Sequence, residues 1–356
     1  MTGMTGRVSE PFGALRDEGI PFLPAALDPA VAQDRFRRLP RLQARVPGLL
    51  LRAARVLRHK PGRRCLIEYE LVRPVPAAEP VFVLGKVRSR GVDLRTYGLA
   101  RRLVERGFGP ESPDGVSVPE PLGAVPELGL WLQARVPGQP SRVVLPGRDG
   151  VGLAVRVADA LEKLHRAPVP PARRHTTDDE IATLRERLRE VARDRPEWVP
   201  RLERVAEACA RAAGGLATPA PALVHRDFYP DQVLVDGDRL HLVDLDLCAG
   251  GDPALDVGNF VGHMIEQALR EHGDPRALDG PAAAMVERYA ARAGSTGSAA
   301  VTVWATLTLA RLVGLSVRFP ERRATAPALL DLCEQRLDIA ARPRPAPDAV
   351  ALEARS

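Results

Sequence analysis

Between Leu49 and Gln133 apolar residues favour every second position, whereas beyond Val151 they return every three to four. That change of period constrains the fold most, because side chains alternate across a strand but return to one face of a helix each turn. In the first stretch Cys65, Ile67, Tyr69 and Leu71 alternate with Leu66, Glu68 and Glu70, which puts carboxylates on one face. Val81–Leu84 reads as a short strand ending in Gly85-Lys86, and Leu130–Gln133 as another, broken at Pro137-Gly138. A helix is predicted between them, from Leu94 to Glu105, with Gly107 as its stop. In the second stretch helices are predicted over Val151–His165, Asp178–Arg193 and Glu197–Ala213, then again to about Ala341. One β segment, 223–247, interrupts them.

The pattern predicts an α+β fold with two lobes: a small antiparallel sheet first, a larger mainly helical part second, and a linker near Ala134–Pro140. The divisions are 1–40 for an N-terminal segment with a short helix, 41–134 for the sheet lobe, 135–341 for the helical lobe and 342–356 for a disordered tail. Residues 1 to about 27, punctuated by Gly and Pro, read as loosely held. Asp28-Pro29 opens the short helix through Leu39, with Asp as N-cap and Pro at the first helical position.

Composition narrows the partners. With 45% hydrophobic residues the chain buries a core and is not disordered throughout. A net charge of +6 spread along the chain, with only 4% aromatic residues, argues against a nucleic-acid platform. Cys65, Cys209, Cys248 and Cys333 lie far apart without a CxxC pair, so neither a zinc site nor a disulfide scaffold is read. The N-terminus shows no apolar signal region, and the apolar run Val301–Phe319 carries Arg311 at its centre, which suits a buried helix better than a membrane span. A cytoplasmic protein with no membrane partner is expected; the sequence leaves its oligomeric state open. Lys60, Lys86 and Lys163 are the only lysines among 51 basic residues, so each invites a reason.

Chemistry concentrates in Leu223–Phe260. Val233–Val235 and Leu240–Leu247 flank Asp236-Gly237, a hairpin turn signal. Folding about 236–239 brings Gln232 roughly opposite Asp244, while Asp227 lies five residues earlier in a loop punctuated by Pro230. Asp244 and Asp246, two apart on a strand, point to one face. Singly, these aspartates also suit turns and caps. Together, Asp227, Gln232, Asp244 and Asp246 are oxygen donors without soft ligands, which describes Mg²⁺ rather than zinc. A magnesium site with one spare carboxylate is what phosphoryl transfer uses.

Here the sequence resembles a family. His225-Arg-Asp227-Phe-Tyr-Pro-Asp-Gln232 is similar to the HxDxxxxN catalytic loop of aminoglycoside phosphotransferases and choline kinase-like enzymes. Val243-Asp-Leu-Asp246 and Gly251-Asp-Pro-Ala-Leu-Asp256 resemble their metal-binding Asp and downstream GDPxxD stretch, and Leu161–His165 their LxxLH helix. The resemblance spans about residues 45–340 and implies a protein-kinase-like fold and an ATP-dependent small-molecule kinase, with GTP not excluded as donor. It implies Asp227 as catalytic base, Gln232 and Asp244 as magnesium ligands, and Asp246 as a second ligand or an acceptor behind the metal. His225 becomes a loop-packing residue and Asp256 a brace of the catalytic loop. Lys86 is assigned to the nucleotide's α/β-phosphates, and Leu132–Val136, with Gln133 and Arg135, to a hinge that holds the adenine.

The chain also departs from that family. Gln232 stands where Asn is usual, which reduces metal affinity unless the backbone retreats. No GxGxxG precedes Lys86; the corresponding turn, His59–Arg64, offers Lys60, Arg63 and Arg64, which suit either a direct grip on phosphates or a plain charged turn. Glu105 is the obvious acidic partner of Lys86 but falls off the apolar face of its helix. The resemblance implies a small hydroxyl compound of aminoglycoside, amino-sugar or choline type as acceptor, whose identity the sequence leaves open; Asp178-Asp-Glu180 suits a cationic acceptor and a helix N-terminus equally. A protein kinase ranks low, because DFG, APE and a Lys two residues after Asp227 are all missing. The alternative from another class is a kinase-like nucleotide-binding regulator of weak or no activity.

Overall fold

The structure, a computed structural model, describes residues 6–293 and 295–339. The expected disordered tail and the end of the last expected helix lie outside the described residues. The chain forms two compact units, one running to Arg174 and resuming over Ala222–Gly250, the other made of His175–Pro221 and the chain from Gly251 on.

The first unit holds strands β1 (Arg7–Ser9), β2 (Leu50–Lys60), β3 (Arg64–Val72), β4 (Val81–Arg88), β5 (Val116–Ser117), β6 (Pro121–Val125), β7 (Leu130–Ala134), β8 (Gln139–Pro140), β9 (Ala222–Val224), β10 (Val233–Asp236) and β11 (Arg239–Leu242). Its helices are α1 (Leu23–Leu27), α2 (Pro29–Phe36), α3 (Pro40–Arg45), α4 (Leu94–Leu103), α5 (Ser141–Val144) and α6 (Gly150–His165). The main sheet runs β1-β2-β3-β4-β7-β6; β1 is parallel to β2 and the other pairings are antiparallel. The predicted alternation on β3 is present, with Cys65, Ile67, Tyr69 and Leu71 all buried.

What covers that face differs from expectation. The segment read as loosely held contributes Ala14, Ile20, Leu23, Ala26 and Leu27 to the core of the sheet. The Tyr69 hydroxyl donates to the Ala26 carbonyl at 2.8 Å, and Phe36 meets the Tyr69 ring edge-on at 4.8 Å. Short helices interrupted by Gly and Pro carry no readable period, yet Pro24 sits in the first turn of α1, where it costs no hydrogen bond. Asp28 caps α2 through the Ala30 and Val31 N–H groups, as predicted, although α2 ends at Phe36 rather than Leu39.

The second unit is helical: α7 (Thr177–Asp194), α8 (Val199–Gly214), α9 (Ala254–His272), α10 (Asp279–Ala293), α11 (Ser295–Arg318) and α12 (Ala326–Arg336). Gly258 and Gly262 let α9 lie close to α11, since a Cβ on either would come within 2.3 Å and 2.8 Å of Trp304 and Thr308 side-chain carbons. By length and composition Gly297–Arg318 is apolar enough to cross a membrane, but 67% of its most apolar window is buried in the protein. Within it, Arg311 donates to Glu180 of α7 at 2.6 Å and to Asn259 of α9 at 2.7 Å. The acidic run at the start of α7 is therefore partly spoken for: Asp179 completes a capping box with Thr176, and Glu180 also binds His175 at 2.8 Å.

Candidate active site

The β10–β11 hairpin pairs Val233 with Leu242 and Asp236 with Arg239. Continuing that register, the Gln232 carbonyl accepts the Val243 N–H at 3.0 Å. Gln232 therefore faces Val243, one residue short of the position expected. Asp244 then leaves the strand with φ 61°, and Leu245–Leu247 form a single tight turn. Asp244 and Asp246 thus reach the same place through a turn and not by alternation along a strand, which corrects the sequence reading. Arg226, just before Asp227, is also left-handed, at φ 72°. Two of the four non-glycine residues with positive φ among the described residues belong to this site. Backbone held in sparsely populated conformations collects at functional sites.

His225 is buried, donates from Nε2 to the Val243 carbonyl at 2.9 Å and packs edge-on against Phe228. It ties the loop to the end of β11, the packing role expected of it. The Asp227 carboxylate is half-buried and makes no hydrogen bond or ion pair among the described residues. Tyr229 reports what surrounds it. Burial and then the charges of Asp227, Asp231 and Asp244 push its phenol up to about 12, while a hydrogen bond with the Gln232 side chain pulls the other way. Asp227, Gln232 and Asp244 are therefore all within electrostatic or hydrogen-bonding reach of one phenol.

Lys86 lies inside β4, opposite Leu66 and Trp131, and not at the strand end as predicted, because the strand continues to Arg88. Its ammonium donates to Asp244 Oδ1 at 3.0 Å and to Asp246 Oδ1 at 3.3 Å. Burial works against charge on Lys86, yet Asp246 and Asp244 hold its pKa above the ordinary value. Burial likewise opposes charge on Asp244, but Lys86 holds that carboxyl far below the usual range. The Asp244 carboxylate is accordingly ionised and 26% exposed, whereas Asp246 is only 6% exposed. Asp246 Oδ2 accepts Arg64 at 3.2 Å and Arg88 at 2.5 Å, and its carbonyl accepts Arg95 and Arg173, each at 3.1 Å. These groups border an open cleft lined by Arg58, Arg64, Lys86, Arg88, Asp244 and Asp246, among others.

Of the basic turn, Arg64 turns to Asp246, Arg63 is exposed, and Lys60 is half-buried. Burial and the neighbouring Arg64, Arg58 and Arg63 depress the Lys60 pKa, with Asp244 opposing them. The turn is therefore a region of surplus positive charge close to the cleft. At the expected hinge, the Gln133 side chain is buried. Arg135 reaches Glu68 at 2.7 Å and covers the Phe82 ring, while the Ala134 and Arg135 N–H groups bond the Glu120 and Phe82 carbonyls at 2.8 and 3.2 Å. Glu105 is exposed and pairs with Arg101 at 3.4 Å. Asp256 is fully buried in the first turn of α9.

Sequence reasoning missed Asp17, Arg88, Arg95 and Arg173. Arg88 was within reach: two residues beyond Lys86 on one strand, it shares its face. Asp17 gave no signal, because its partners are 42 and 45 residues away: His59 Nε2 at 2.7 Å and the Gly62 N–H at 2.8 Å. It pins the turn that carries Lys60, Arg63 and Arg64. Lys163, the third lysine, is structural. It bonds the Gly107 and Val116 carbonyls and Asp114 at 2.7, 3.0 and 2.7 Å.

A family model described as the phosphotransferase enzyme family matches residues 95–304. No curated protein sequence matches the chain. Among solved structures, a choline/ethanolamine kinase family protein from Mesorhizobium loti superposes with a TM-score of 0.56 at 16% identity, covering 86% of this chain and 94% of that one. A choline kinase from Cryptosporidium parvum gives 0.56 at 14% identity, with coverage of 83% and 93%. A thermostable mutant of aminoglycoside phosphotransferase APH(4)-Ia, in ternary complex with AMP-PNP and hygromycin B, gives 0.51 at 17% identity, with coverage of 82% and 94%. With its α+β, protein-kinase-like fold, the chain belongs to the phosphotransferase enzyme family.

Proposed function

We propose that the protein moves the γ-phosphate of ATP, in line and without a covalent enzyme intermediate, onto a hydroxyl of a small aminoglycoside-, amino-sugar- or choline-like molecule. The observation that carries this reading is the Lys86–Asp244 ion pair at 3.0 Å, which joins residues 158 apart in sequence; the Asp227 carboxylate, on the loop before the hairpin, has no partner among the described residues. In this reading Asp227 orients the acceptor hydroxyl and takes its proton. Lys86, with Lys60, Arg63 and Arg64 on the neighbouring turn, supplies positive charge for the phosphates.

Magnesium fits these residues. Among the described residues no three His, Cys, Asp or Glu side chains gather into a self-contained metal site. Mg²⁺ does not need one, since it is commonly bound by one or two carboxylates together with substrate phosphates. The ionised Asp244 and the Gln232 amide are the donors that would hold it, and when bound it neutralises charge on the transferring phosphate. The solved relatives named above include choline kinases and an enzyme crystallised with AMP-PNP and hygromycin B, which supports a nucleotide and a small polar acceptor. Four buried free cysteines suit a reducing compartment, and we place the enzyme in the cytoplasm.

The test is a phosphate-transfer screen with labelled ATP over amino sugars, amino alcohols, nucleosides and sugars. Transfer to one class is expected, and Asp227→Ala should lower it about a hundredfold or more while nucleotide binding persists. Equal loss of binding and transfer in a folded Asp227→Ala variant contradicts the assigned role. The regulator reading rests on Gln232, whose longer side chain is tied to Tyr229. Metal-dependent ATP binding with no turnover on any hydroxyl compound would favour it.

A further inference from the structure

Resting on the reading above, in which this cleft binds a magnesium nucleotide, we infer that Asp246 is the positioning carboxylate of Lys86 and not a second metal ligand. Both of its oxygens are already used: Oδ1 accepts Lys86 at 3.3 Å, and Oδ2 accepts Arg64 at 3.2 Å and Arg88 at 2.5 Å. Three cations around one buried carboxylate leave little room for a divalent ion and repel it. Asp246 is also fixed from behind, since Arg95 and Arg173 each bond its carbonyl at 3.1 Å. Asp244 differs in each respect. It is more exposed, and Lys86 is the one cation within ion-pair distance of it among the described residues.

The helix after β4 cannot supply the partner. α4, Leu94–Leu103, contains no acidic residue. Asp93, its N-cap, is bonded to Thr96 and paired with Arg88 at 3.4 Å, and Glu105 is paired with Arg101. Lys86 therefore has two carboxylates, Asp244 and Asp246. When Asp244 serves a metal, Asp246 is the one left to hold the ammonium toward the phosphates. Arg64 and Arg88 keep it in place, so the acid comes from the turn after the hairpin and not from the helix.

The experiment measures ATP turnover as ADP formation, with the acceptor found in the screen or with water, as a function of MgCl₂. Asp246→Asn, Asp246→Glu, Asp244→Asn, Lys86→Met and the Asp246→Asn/Lys86→Met double variant are compared. Asp246→Asn should lower the rate about a hundredfold, as misplacing a catalytic group does. Its magnesium half-saturation should stay within about twofold of wild type, while Asp244→Asn should raise it about tenfold. The double variant should be no slower than Lys86→Met within about twofold, because Asp246 acts through that lysine. Asp246→Glu should recover part of the rate, and it decides the magnesium comparison if Asp246→Asn does not fold. A raised magnesium half-saturation in the Asp246 variants, or losses that multiply in the double variant, overturns the inference alone. A wild-type protein that neither binds nor turns over ATP defeats the function proposed above, and this inference with it.

Discussion

Asp244 carries two demands at once. Its backbone must turn out of the hairpin at φ 61°, and its carboxylate must stay ionised beside Lys86 at 3.0 Å. Asp and Asn meet the first demand better than other residues with a side chain, because a short polar group can bond locally in the left-handed region. Asp244→Asn should therefore keep the fold and lose the charge. Asp244→Ala should lose both and unfold with about 1 kcal/mol less stability than Asp244→Asn, read from urea melts of the two variants. Arg311 shows the same economy in the second unit. Arg311→Met removes the 2.6 Å ion pair from the buried Glu180 carboxylate and should cost about 3 kcal/mol, measured by denaturant unfolding.

At the scale of elements, the N-terminal segment and the β2–β3 turn behave as one piece. Asp17 bonds both His59 and the Gly62 N–H, and a Cβ on Gly19 would come within 2.6 Å of the Gly62 Cα. Burial resists charge on Asp17, but those partners hold its carboxyl below the usual range. Asp17→Ala should lower stability by about 1 kcal/mol and raise the KM for ATP while leaving the KM for the acceptor unchanged. β4 is equally exacting. A Cβ at Gly85 would meet the Tyr69 ring at 2.7 Å, so Gly85→Ala should cost about 1–3 kcal/mol in a thermal melt and disturb Lys86 next to it. The strands were legible because β3 buries alternate residues, and the α6 and α7 helices because of their period. The candidate site was legible because Asp227, Gln232 and Asp244 are spaced closely along the chain. Asp17, Arg95 and Arg173 were not, since nothing local marks a residue whose partners lie some 42 to 151 positions away. The exit of Asp244 from its strand was hidden too: a left-handed Asp leaves no trace in an alternating pattern.

For the whole molecule, acid should act on the second unit before the site. Burial, with Arg311 and Arg322 nearby, pushes His263 down to about 3. A histidine that stays neutral when folded binds its proton more readily once unfolded, so its contribution is present above about pH 6.5 and is lost progressively toward pH 3. The Asp244–Lys86 pair fails only below the ordinary carboxylate range. Thermal melts of the wild type should therefore fall from about pH 6.5 downward, and His263→Leu should flatten that first slope.

A crystal structure with a non-hydrolysable ATP analogue and magnesium tests the oxygen cradle most directly. Oxygens of Asp244 and Gln232 should lie about 2.1 Å from the metal, with Lys86 on the phosphates and Asp227 facing open space beyond the terminal one. Phosphates bound away from Asp244, or a metal held without it, would contradict the assignment.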